Sequence, residues 1–107
     1  MSLPTSTMIA GTMNWGKWGR NFNKTAIQQV IETFITEKIT TFDHADIYGG
    51  YTTEADFGNA WSAMNIDRNQ VQFITKCGIK MVCEERDYAI KHYDYSKKHI
   101  ISEVSIF

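Results

Sequence analysis

Phe42-Asp43-His44-Ala45-Asp46-Ile47-Tyr48-Gly49-Gly50 decides the architecture when read with Val71-Gln72-Phe73-Ile74-Thr75-Lys76. Each stretch contains a short, mostly apolar run that ends on a charged residue. Ile39 to Phe42 reads as a strand ending at Asp43, and Val71 to Thr75 as a strand ending at Lys76. Working outward, Thr7-Met8-Ile9-Ala10-Gly11-Thr12 is another such run. It enters a loop, Met13-Asn14-Trp15-Gly16-Lys17-Trp18-Gly19, with two tryptophans and two glycines.

Helical periodicity separates these runs. Asn23 can cap a helix whose apolar stripe is Ala26, Ile27, Val30, Ile31, Phe34 and Ile35, the spacing of one buried helical face. Thr53 can cap a second helix with Phe57, Ala60, Trp61 and Met64 along one side. A polar stretch from Lys80 to Tyr95 is expected to be a loop. Ser96 then caps a third helix, with Ile100, Ile101, Val104 and Phe107 as its apolar face. Strands alternating with helices imply an α/β fold with parallel strands and right-handed crossovers. Ligand-binding loops in such folds gather where the strands end. The charged and glycine-rich segments of this chain fall there.

The bulk composition narrows the function. The chain has 107 residues, 43% of them apolar and 13% aromatic, which suits one globular domain. Eleven basic against twelve acidic residues leave a net charge of −1, which argues against a nucleic-acid or anionic-membrane partner. Spanning a bilayer takes about 20 consecutive apolar residues, and no run here approaches that. The first residues lack a basic flank followed by an apolar segment, so no secretory signal is read and a cytoplasmic location is expected. Cys77 and Cys83 are spaced for neither a zinc knuckle nor a set of paired bridges, and read as reduced thiols.

Asp43, Tyr48 and Lys76 carry the chemistry. A free phenol titrates at about 10 and is a poor acid near neutrality. A neighbouring ammonium stabilises the phenolate and brings the proton within reach of a reaction. Lys76 can supply that charge if the second and third strands are neighbours, and Asp43 can hold the lysine in place. Taken singly, each residue also has a plain reading: a loop tyrosine, a turn-forming aspartate, a solvated lysine at a strand end. Their placement at the ends of consecutive strands favours the chemical reading.

With those residues in hand, the chain resembles the aldo-keto reductases, in their bacterial oxidoreductase-like branch. The resemblance runs from Thr7 to about Glu103. It rests on residues 11–19, on 42–51, on Glu54 to Gly58, on Phe-Ile-Thr-Lys-Cys-Gly at 73–78, and on Tyr93 to Ile100. It implies a (β/α)₈ barrel that reduces aldehydes and ketones with NADP(H). By position Tyr48 matches the proton donor, Lys76 the lysine that tunes it, and Asp43 the carboxylate partner. Gly11, Thr12 and Met13, with Asp43, would lie at the nicotinamide end of the cofactor. Trp15 and Trp18 would line the substrate pocket. Here His44 follows the aspartate, where the family usually has a small residue. The family's catalytic histidine after a fourth strand has no counterpart.

A complete barrel takes about 250 residues. The chain is therefore expected to form the first three β/α units of a truncated barrel, a partial domain over 1–107 that lacks the C-terminal strands. The small-molecule carbonyl substrate is expected for the full-length form, and tight NADP(H) binding is not expected of these units alone. Open strand edges are expected to favour self-association or aggregation. They also support the alternative of a non-catalytic interaction module. His92 and His99 are expected to be solvated, and His44 to be a loop or pocket-wall residue.

Overall fold

The computed structural model describes residues 6–83, 86–87 and 89–106. Three strands form a parallel sheet in the order β1-β2-β3: β1 is Ile9–Gly11, β2 is Thr41–Asp43 and β3 is Gln72–Ile74. Each is shorter than its apolar run. The register sets Ile9, Thr41 and Gln72 in one row, Ala10, Phe42 and Phe73 in the next, and Gly11, Asp43 and Ile74 in the last. Side chains alternate across a sheet, and the middle row faces the core. Ala10 and Phe42 are buried there, with Phe73 packed against them. Backbone bonds past the strands, His44 N–H to Ile74 O at 2.7 Å and Asp46 N–H to Lys76 O at 3.0 Å, carry the pairing on into the loops.

Two helices cover that face. Helix α1, Lys24–Thr36, starts at Asn23, whose side chain accepts from Ala26 N–H at 2.8 Å. Its stripe buries Ile27 and Ile31, with Val30, Phe34 and Ile35 beside them. After a four-residue turn, α2 (Tyr48–Tyr51), comes α3, Thr53–Ser62. Gly49 has φ of 66° inside α2, a left-handed conformation that favours glycine. The expected cap of α3 at Thr53 is replaced by Thr52, which makes no side-chain capping bond. The Thr52 hydroxyl instead donates to Gly49 O at 2.6 Å. Glu54 and Asp56 in the first turn supply the negative charge that a helix N-terminus favours.

The core is dominated by aromatic rings. Phe42, fully buried, meets Trp15, Phe34, Phe57 and Phe73 at centroid distances of 5.5–6.4 Å. Trp15 belongs to this cluster. It is 7% exposed and stacks on Phe34 with an interplanar angle of 3°.

The stretch expected as one loop contains an antiparallel pair, β4 (Ile79–Lys80) with β5 (His92–Tyr93). Lys80 and Asp94 close it with an ion pair of 2.9 Å, and the Tyr51 hydroxyl donates to Ile79 O at 2.9 Å. The last helix, α4 (Lys97–Ile106), begins where Ser96 accepts from His99 N–H at 3.2 Å. Its rotation corrects the expected face. Ile100 and Ile101 are 40% and 53% exposed, whereas His99 and Glu103 are each 6% exposed. The side chains of Val104 and Phe107 lie outside what the structure describes.

No described helix is long and apolar enough to cross a membrane. Among the described residues β1 and β3 are the edges of the parallel sheet, and Met8, Ile9 and Ile74 are exposed there.

Candidate active site

Parallel pairing of β2 with β3 brings Asp43 and Lys76 to the same end of the sheet. Lys76 Nζ lies 2.8 Å from Asp43 Oδ1 and donates to His44 O at 2.6 Å. Both side chains are partly open to solvent, so the pair fixes geometry more than it stabilises the fold. The same ammonium lies over the Tyr48 ring, 5.6 Å from its centroid. Tyr48 opens α2, held by its N–H to Ala45 O at 3.2 Å. The loop geometry therefore places a phenol, an ammonium and a carboxylate side by side at the strand ends.

The residues at the end of β1 divide. Gly11 has nothing within 4 Å of the position a Cβ would take, and Met13 is exposed. Thr12 is fully buried. Its hydroxyl lies 2.9 Å from Asp43 O and 3.0 Å from His44 Nδ1, so it is committed to holding the loop together. Trp18 is exposed, with its ring 6.1 Å from that of Tyr48. Trp15 lies in the core, away from solvent, because its indole completes the aromatic cluster beneath α1. The two tryptophans thus have different surroundings.

His44 is buried, its ring 4.4 Å from that of Phe57. Burial lowers its pKa to about 4, with opposing effects from the charges of Asp43 and Lys76. The imidazole is neutral near pH 7.

His99 is the clear correction among the histidines. Instead of facing solvent, it is buried beside Asp46 and Glu103. Arg86 holds Glu103 with two bonds, of 2.6 and 3.2 Å. Burial pushes the Asp46 carboxyl up to about 7, reinforced by its hydrogen bond to Glu103 and the charges of Glu103 and Glu54. No sequence motif singled out Asp46 or Glu103. The available signal was His99 and Glu103 four apart on one helix face.

The sequence pattern of the Aldo/keto reductase family matches residues 7–105, and the chain belongs to that family. It is 42% identical to the Bacillus subtilis oxidoreductase YcsN over 103 residues, covering 95% of this chain and 34% of that protein. It is 43% identical over 75 residues to 6-dehydroglucose reductase of Agrobacterium fabrum, covering 69% and 25% of the two chains. It is 37% identical over 87 residues to Escherichia coli oxidoreductase YdhF, covering 81% and 29%. The chain thus spans about a third or less of the length of these relatives. In fold it is similar to PA4992 of Pseudomonas aeruginosa, assigned to the aldo-keto reductases. The TM-score is 0.76 at 19% identity, over 97% of this chain and 36% of that one.

Proposed function

We propose that this chain forms the first three β/α units of a (β/α)₈ reductase that converts aldehydes or ketones to alcohols with NADPH. The observation that carries the reading is Lys76 Nζ, 2.8 Å from Asp43 Oδ1 and 5.6 Å from the Tyr48 ring centroid. The name of one relative, 6-dehydroglucose reductase, supports a carbonyl compound as the substrate class.

Tyr48 donates its hydroxyl proton to the carbonyl oxygen. Lys76 balances the phenolate that is left, and Asp43 with His44 O anchors Lys76. Solvent then returns a proton to Tyr48. The surroundings of Gly11 and Met13 suit a flat ring. The end of β1 is open above Gly11, and Met13 offers an apolar surface beside it. A reduced nicotinamide held there would supply the hydride. Thr12 supports this floor from below through Asp43 O and His44, and Trp18 walls the side of Tyr48.

The test uses the full-length reductase that carries these residues. Tyr48→Phe is expected to lower kcat by about 10²- to 10⁴-fold, the usual contribution of a positioned general acid, while fluorescence titration shows NADPH binding unchanged. Unaltered turnover in that variant removes Tyr48 from the mechanism.

A further inference from the structure

Asp46, His99 and Glu103 come from the loop after β2 and from α4. Each presents one ligand atom, and these atoms lie within 4.8 Å of one another. All three residues are more than nine-tenths buried. Among the described residues, two of their polar atoms, Asp46 Oδ2 and His99 Nε2, find no hydrogen-bond partner. Orphaned buried polar groups are costly, and both of these belong to residues of the cluster. We propose that Asp46, His99 and Glu103 form a binding site for a divalent transition-metal cation, with zinc as the best match.

The donor set is one imidazole nitrogen and two carboxylate oxygens, which suits zinc or a similar first-row ion. Bonds of about 2.0–2.2 Å require ligand atoms roughly 3–4 Å apart, which small side-chain rotations achieve from the present spacing. Arg86 grips the Glu103 carboxylate from outside and fixes its orientation, as second-shell partners do. Asp46, Glu103 and Arg86 also line a cavity of about 570 Å³, which gives access to the site and room for water on its open positions. A bound ion would tie α4 to the loop that carries Tyr48. This site stands apart from the reductase reading and survives its failure.

The test is titration of the 107-residue chain with zinc chloride by calorimetry, and with cobalt(II) followed by visible absorption. One equivalent is expected to bind. His99→Gln and Asp46→Asn are each expected to weaken binding at least tenfold, whereas the double variant Cys77→Ser/Cys83→Ser binds as the parent does. Failure to bind one equivalent overturns the site, as does binding that survives the first two substitutions or disappears with the thiols. Should the single variants not fold, the cobalt spectrum of the parent decides. A sulfur-to-cobalt charge-transfer band refutes the site, and a spectrum of bound cobalt without one supports it.

Discussion

Substituting His44→Gln and Asp46→Asn, one at a time, is expected to tilt the pH dependence of stability in opposite directions. His44 falls from an ordinary 6.5 to about 4 in the fold. Between those values the unfolded chain binds a proton that the folded chain refuses. Its contribution is therefore intact above pH 6.5 and is lost as pH falls toward 4. The separation corresponds to about 3 kcal/mol, at 1.36 kcal/mol per unit. Asp46 rises from 3.8 to about 7. The folded chain keeps a proton that the unfolded chain has released, so its contribution is intact below 3.8 and is lost as pH rises through about 7.

In the parent the two effects oppose each other between pH 4 and 6.5. Asp46→Asn leaves the His44 effect exposed, so stability is expected to climb with pH. His44→Gln leaves the Asp46 effect, so stability is expected to fall. Each proton can tilt the curve by at most about 1.4 kcal/mol per pH unit. The readout is the difference between the two slopes, in which groups common to both variants, Glu54 included, cancel. Urea unfolding followed by far-ultraviolet circular dichroism at four pH values, with a chelator present, supplies it. A slope for Asp46→Asn no more positive than that for His44→Gln would refute the placement of both groups.

Two further predictions follow from the core and the first helix. Phe42→Ala removes the fully buried ring at the centre of the aromatic cluster and is expected to cost about 3–5 kcal/mol, read as a lower urea midpoint. Asn23→Ala removes the side-chain acceptor for Ala26 N–H and is expected to cost about 1 kcal/mol, checked by the same unfolding curves; no change would remove Asn23 as a cap.

Local signals were reliable where each residue's environment depends on its near neighbours. The stripe of α1 buries Ile27 and Ile31 as its period predicts, and Asn23 caps it because the Asn–Lys–Thr–Ala spacing alone puts Oδ1 near Ala26 N–H. Alternation of helices and strands identified a parallel sheet, and parallel pairing made Asp43 and Lys76 neighbours. Signals failed where a residue's surroundings come from far along the chain. Trp15 looked like a pocket residue, yet Phe34, Phe42 and Phe57 form a site for it in the core. Isoleucines Ile100 and Ile101 looked like the buried face of α4. The pairing of Glu103 with Arg86, and the meeting of both Glu103 and His99 with Asp46, turn the helix the other way. The β4–β5 pair also escaped notice. Its strands are two residues each, too short for alternation to register, and an ion pair and a tyrosine hydroxyl from α2 hold them.

By itself the sequence determined the α/β class, the family, the stripes of α1 and α3, and the placement of Asp43, Tyr48 and Lys76 at or just past the strand ends. Those properties are written in spacings of a few residues, where backbone geometry dictates which side chains share a face. Only the tertiary structure decided the inward rotation of α4, the core position of Trp15 and the meeting of Asp46 with His99 and Glu103. Asp46 and His99 lie more than fifty positions apart in the sequence, and no local period links them. Burial, charge pairing and ring packing, which act through space, bring them together.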